Sequence, residues 1–247
     1  MDSISQTYNN GILTPDLVHF WYADLEANRA MVPEYLKLLA KDEVNRASKY
    51  KFQKDLECYV ISRGILRMLL GYYLAVGSDK IEFVYSDYGK PSVASTNRLK
   101  FNCSHSTNMV VFGFALGCEI GVDVEHIKTD FDVLDLAVNF FSQSEIKSLG
   151  SRPEQLYRSF YRCWTRKEAF IKAKGSGLSF PLDSFTVSLD DDENAKLLET
   201  HWDVNEVAEW RVFSFVPRVD YMSAVAVRSK EASIVYRNWD TFSLQGG

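Results

Sequence analysis

The sequence predicts an α+β protein of two mixed halves. Helical periodicity and short period-two apolar runs alternate in blocks, in the order helices, strands, helices, strands, and Gly and Pro are scattered singly rather than pooled into a linker. The 247 residues amount to one large domain or two small ones at roughly 150 residues per domain, enough to bury about 70–75% of the unfolded surface.

Taken in order, helical pattern runs over Glu34–Ala40, Asp42–Tyr50 and Asp55–Leu74, closing at Gly77. Strand patterns follow at Ile81–Tyr85, Leu99–Cys103 and Met109–Leu116, the first two separated by the turn-rich DYGKP at 87–91. A fourth, Glu119–Glu125, begins after Gly117, where the halves are expected to meet: 1–117 as one subdomain and 118–247 as the other. Helical pattern returns over Phe131–Leu149 and Glu154–Lys174, the latter ended by Gly175. Strands are then expected at Phe185–Leu189, Trp210–Val216 and Tyr221–Arg228.

Composition narrows the function. Hydrophobic residues at 46% and charged residues at 25% exclude a disordered chain. The longest apolar stretch, around Met109 to Leu116, is far short of the ~20 residues of a membrane helix, and MDSISQTYNN lacks a basic region followed by an apolar one. A cytoplasmic protein is therefore expected. The net charge of −5 provides no global field for nucleic acid or an anionic membrane, so any phosphate site is local. Cys58, Cys103, Cys118 and Cys163 are too far apart in sequence for a close-paired zinc or redox motif.

Chemistry concentrates in two segments. In EIGVDVEHI, Ile120, Val122 and Val124 alternate with Gly121, Asp123 and Glu125, so both acids share one face of a strand. Two like charges ~4 Å apart at an effective dielectric of ~20 repel by roughly 4 kcal/mol, so a shielded pair needs a cation or a raised pKa; a solvated pair needs neither. In the helix FYRCWTRKEAFIKAKG, Tyr157, Tyr161, Trp164 and Ile171 form one stripe, and Glu168 lies inside it, flanked by Lys167 and Lys172. A buried carboxylate requires a salt bridge, here with Lys172 at i,i+4, or protonation, or a metal ion. Asp123, Glu125 and Glu168 together would suit a hard divalent cation.

The remaining polar signals are local. His105 in FNCSHS either hydrogen-bonds a phosphate or caps a turn. Lys49, Lys51 and Lys54 lead into the long helix, and Lys90 sits in the GKP turn. Arg63 and Arg67 are like charges at i,i+4, which calls for a nearby anion or marks a surface pair. KGSGLSF follows its helix, so Gly175 and Gly177 read as a C-cap and turn rather than a nucleotide loop.

With GVDVE, FNCSHS, DYGKP, SRGILRMLLG and WTRKEAFIKAKGSGLSFPL in view, the chain resembles the long, surfactin-type, monomeric branch of the 4'-phosphopantetheinyl transferases, from about Asp42 to about Phe185. The resemblance implies two similar α+β halves about a pseudo-twofold axis with the active site in the cleft between them. It also implies transfer of the phosphopantetheine arm of coenzyme A to a serine of an apo acyl, peptidyl or polyketide carrier protein, with release of adenosine 3',5'-bisphosphate. By motif position, Asp123, Glu125 and Glu168 would hold Mg²⁺ or Mn²⁺. Glu168 would take the serine proton, and Lys172 would serve the leaving phosphate. Ser104 and His105 would contact phosphates, while Lys51, Lys54, Arg63, Arg67, Lys90 and Pro91 would lie near the 3'-phosphate and adenine. Two rivals share the residue pattern: a Mg²⁺-dependent nucleotide pyrophosphate phosphohydrolase and a non-catalytic module that binds coenzyme A or carrier proteins.

Overall fold

The computed structural model describes residues 13–96, 98–150, 152–177 and 180–242. The N-terminal segment MDSISQTYNN, and Leu178 and Ser179 of KGSGLSF, lie outside the described residues. The chain opens with a strand not anticipated from sequence, β1 (Leu17–Asp24), then two short helices, α1 (Val32–Leu38) and α2 (Lys41–Ala47), and the long α3 (Gln53–Leu74). Helix α3 stops at Ala75, not at the expected Gly77, because Ala75 takes the left-handed conformation (φ 54°) and its N–H bonds back to Gly71. A hairpin of β2 (Phe83–Tyr85) and β3 (Pro91–Val93) encloses the DYGKP turn. Two longer strands, β4 (Leu99–Ser106) and β5 (Met109–Leu116), complete this half.

The second half begins with β6 (Ile120–His126). The helical pattern expected over Phe131–Leu149 is two helices, α4 (Val133–Phe140) and α5 (Gln143–Ser148). The break is built by Ser142, which caps α5 by accepting from the Glu145 N–H while the Glu145 carboxylate accepts from the Ser142 N–H, a reciprocal capping box. Then come α6 (Pro153–Lys174), closed by left-handed Gly175 as expected, and the pair β7 (Phe185–Val187) and β8 (Leu197–Thr200). Strands β9 (Arg211–Phe215), β10 (Tyr221–Val227) and β11 (Ser233–Asn238) follow, and a short 3-10 turn over Trp239–Thr241 comes after them.

Period-two alternation sorts these strands into layers. Strands β11, β1, β5 and β4 form one sheet, and β6, β10 and β9 a second. Trp21, Ala23, Val110, Phe112 and Phe114 face α3, whereas Val18, Phe20, Met109 and Val111 face the second sheet, against Ile120, Val122, Val124 and Val225. The far face of the second sheet, with Met222, Ala224 and Ala226, packs on Phe170, Ile171 and Ala173 of α6. The result is helix, sheet, sheet, helix, with α3 and α6 outermost. One strand crosses the expected boundary at 117: β11 lies parallel to β1, and Trp239 just beyond it joins the core under α3.

Candidate active site

The site forms where α6 lies directly on β6, and a missing side chain permits that approach. A Cβ added at Gly121 would sit 2.1 Å from the Ala169 carbonyl oxygen and 2.3 Å from the Ala173 nitrogen. With only hydrogen there, the helix backbone touches the strand. The alternation of β6 points Asp123 and Glu125, on the same face as Gly121, toward the helix that carries Glu168 and Lys172.

Lys172 Nζ meets Asp123 Oδ1 at 2.6 Å and Ser104 Oγ at 3.0 Å, while Ser104 Oγ donates to the same carboxylate oxygen at 2.9 Å. The helical i,i+4 partner foreseen for Glu168 is thus drawn instead to the strand. Asp123 is 2% exposed, and its second oxygen, Oδ2, is buried with no hydrogen-bond partner among the described residues. Glu125 Oε2 accepts from Ser106 Oγ at 2.9 Å, and burial together with Asp123 pushes its carboxyl up to about 7. Burial and Asp123 likewise raise Glu168, with Lys172 opposing them. Burial works against the Lys172 ammonium, but Asp123, and beyond it Glu168, hold its pKa above the ordinary lysine value. Three carboxylates therefore share one ammonium. Among the described residues no group of three His, Cys, Asp or Glu side chains is closed around an ion-sized space.

FNCSHS gains a physical reading here. Strand β6 is the edge of its sheet and β4 the edge of the other, and alternate side chains of β4 sew the two edges together. Asn102 Oδ1 accepts from the Val122 N–H, Ser104 serves Asp123, and Ser106 Oγ accepts from the His126 N–H. Side chains rather than a backbone ladder join the halves at this edge. Ser104, expected at the phosphates, is bonded here to Asp123 and Lys172. His105 points the other way. Its side chain is exposed, and desolvation by the surrounding protein, then Lys172, keep it below the usual histidine value.

Beside this cluster opens a cavity of about 450 Å³ lined by Tyr88, Gly89, Lys90, Pro91, Asn102, Cys103, Glu168, Ile171, Lys172, Gly175 and Gly177. That volume lies in the range of small-molecule sites. Pro91, expected near the 3'-phosphate and adenine, is among the lining residues. Tyr88 and Gly177, from opposite halves, were missed. Gly177 is left-handed (φ 70°), and a Cβ on it would meet the Tyr88 ring at 2.8 Å, so glycine here leaves room for the ring.

The basic residues divide. Lys51 and Lys54 are exposed before and within the first turn of α3. Arg67 is 1% exposed and is corrected: it donates to Glu43 Oε2 at 2.6 Å and to the carbonyls of Ser78 and Ile81 at 3.0 and 3.1 Å. Arg63 bonds the other Glu43 oxygen and the Tyr85 hydroxyl, with its guanidinium 4.0 Å from the centre of the Phe83 ring. The anion that the i,i+4 arginines call for is thus Glu43, 1% exposed on α2, and both residues anchor the fold. Lys90 lines the cavity, and its ammonium bonds backbone carbonyls of Ile120, Lys172 and Ala173. Lys167, read only as flanking the helical stripe, is fully buried; it pairs with Glu145 at 2.8 Å and donates to Leu182 and Phe185 carbonyls, tying α5 and β7 to α6.

Comparison with known proteins identifies the family. The sequence model of the 4'-phosphopantetheinyl transferase superfamily matches residues 119–226, and that of 4'-phosphopantetheinyl transferase, N-terminal, matches residues 26–115. The 4'-phosphopantetheinyl transferase HetI of Nostoc sp. is 33% identical over 222 residues, covering 88% of this chain and 90% of that protein. The chain belongs to the 4'-phosphopantetheinyl transferase superfamily. It is a transferase of the long, two-part type. The 4'-phosphopantetheinyl transferase Sfp of Bacillus subtilis (strain 168) is 29% identical over 172 residues, 69% of this chain and 75% of its own length. Superfamily model 119–226 begins one residue before β6 and ends within β10, so it spans all three acids and Lys172.

Proposed function

We propose that the protein transfers the 4'-phosphopantetheine arm of coenzyme A to a serine of an apo acyl, peptidyl or polyketide carrier protein, releasing adenosine 3',5'-bisphosphate. The observation that carries this reading is the set of Asp123, Glu125 and Glu168 around the Lys172 ammonium, with Glu168 and Lys172 lining a cavity of about 450 Å³. The cavity takes the coenzyme, with the exposed Lys51, Lys54 and His105 as candidates for its phosphates. Glu168, with its raised pKa, is suited to take the serine proton as the serine oxygen bonds phosphorus. Lys172 neutralises or protonates the departing phosphate as the phosphorus–oxygen bond to the nucleotide breaks.

The donor set fits a hard divalent cation. All three candidates are carboxylates, Asp123 Oδ2 is buried without a partner among the described residues, and two of the acids have raised pKa values of the kind a cation relieves. Asp123, Glu125 and Glu168 would hold Mg²⁺ or Mn²⁺, which would offset charge on the pyrophosphate oxygens. In this reading residues 1–117 form the half that holds the adenine end, residues 118–247 supply the acids and the catalytic helix, and the protein acts as a cytoplasmic monomer.

The test is intact mass spectrometry of an apo carrier incubated with the protein, coenzyme A and Mg²⁺. A carrier heavier by one phosphopantetheine supports the proposal. Nucleotide release with an unchanged carrier gives the phosphohydrolase, and no reaction with any carrier class overturns catalysis. Glu168→Ala and Asp123→Ala should abolish transfer in folded protein.

A further inference from the structure

Lys90 belongs to the turn between β2 and β3, in the first half, yet its side chain ends in the second. Its Nζ donates to the carbonyls of Lys172 at 2.8 Å, Ile120 at 3.1 Å and Ala173 at 3.3 Å. An ammonium has three donors, and all three are engaged. Lys172 and Ala173 are in the last turn of α6, where carbonyls have no partner within the helix and the helix dipole favours a cation. Ile120 opens β6, an edge strand, so its carbonyl on that side has no strand to pair with. Glu119 Oε2, 3.7 Å from the same nitrogen, supplies the balancing charge.

The arrangement has a consequence for the acids. The tie joins the end of the catalytic helix to the start of the acid-bearing strand. It lies one residue from Gly121, the point at which the two backbones touch, and it grips the carbonyl of Lys172 itself. The geometry points to Lys90 as a positioning residue for transfer: a buckle from the opposite half that sets α6 on β6 so that Lys172 and Glu168 face Asp123. Its ammonium holds protein carbonyls rather than the coenzyme.

The kinetic arm of the test rests on the phosphopantetheinyl-transfer reading, and a second arm does not. Lys90→Met removes the donors. Lys90→Arg keeps the charge and suits a phosphate, but its planar fork cannot direct three bonds to three converging carbonyls. Both variants should lose about 10- to 100-fold in kcat, the upper figure being that of a misplacement of around 1 Å, while calorimetric affinity for coenzyme A stays within about twofold. Hydrogen exchange in the last turn of α6 should accelerate in both. If Lys90→Arg behaves as the unmodified protein while Lys90→Met loses coenzyme affinity, Lys90 is a ligand contact and the buckle is wrong. Unaltered exchange at the end of α6 in Lys90→Met overturns it whatever the kinetics, and if Lys90→Met does not fold, exchange in Lys90→Arg decides. Should the unmodified protein transfer nothing, the functional reading fails and the exchange arm alone judges the buckle.

Discussion

Gly121→Ala tests the central contact of the site. The added methyl would stand 2.1 Å from the Ala169 carbonyl oxygen and 2.3 Å from the Ala173 nitrogen, where ordinary contact begins at 3.4 Å. Both obstacles are backbone, so no side chain can turn away, and α6 must retreat from β6 by about 1 Å. That retreat stretches the 2.6 Å Lys172–Asp123 contact beyond hydrogen-bond range. Overpacking of this kind costs about 1–3 kcal/mol of stability, and a catalytic misplacement of about 1 Å costs about 100-fold in rate. Gly117→Ala is the control: its φ of 73° strains an alanine, but nothing lies within 4 Å of the new methyl, so only stability should fall. The assays are urea unfolding and the initial rate of carrier modification. A Gly121→Ala protein with unaltered unfolding midpoint and rate would refute the claim that backbone contact at this glycine sets the site.

Further outcomes follow from the same geometry. Arg67→Met should cost about 3–5 kcal/mol in chemical denaturation, because Glu43 is left buried with one arginine, while the KM for coenzyme A stays within about twofold; a tenfold rise would restore Arg67 to the ligand site. Lys54→Ala, which removes an exposed charge, should leave the unfolding midpoint unmoved and raise the KM for coenzyme A, with a weaker effect in high salt; an unchanged KM removes Lys54 from the site. His19 is 1% exposed, its Nδ1 is 2.7 Å from the Tyr73 hydroxyl, and burial, then Arg237, lower its pKa to about 4. The unfolded histidine binds its proton at higher pH than the folded one, so stability falls as pH drops from about 6.5 through 4, by up to about 3 kcal/mol. His19→Asn, which keeps an acceptor near Tyr73, should flatten that slope in pH-dependent unfolding, and an unchanged slope would assign it to other groups.

The chemistry was legible because it depends on local spacing. Period two placed Asp123 beside Glu125, period 3.6 placed Glu168 within an apolar stripe, and both faces are as read. The partners of the cations were not legible, because each is remote in sequence: Glu43 for Arg67, Glu145 for Lys167, and three backbone carbonyls for Lys90. The i,i+4 arginines did announce an anion, yet nothing in their helix says whether it is a substrate or another part of the chain. The break between α4 and α5 carried a readable signal, Ser142 followed three residues later by Glu145, which apolar periodicity over 131–149 obscured. Strand β1 alternates between two buried faces, Phe20 toward one core and Trp21 toward the other, and so lacks the polar positions that mark a half-exposed strand.

The parallel pairing of β11 with β1 decides when this protein becomes whole. Leu17 lies opposite Ser233, so the outer margin of the first sheet waits for residues that leave the ribosome more than two hundred positions later. Until then the nascent first half carries a bare β1 flank, open to pairing with another chain. A product truncated before Ser233 would keep every acid of the site and that sticky flank as well, so its loss would show first as aggregation rather than as damaged chemistry.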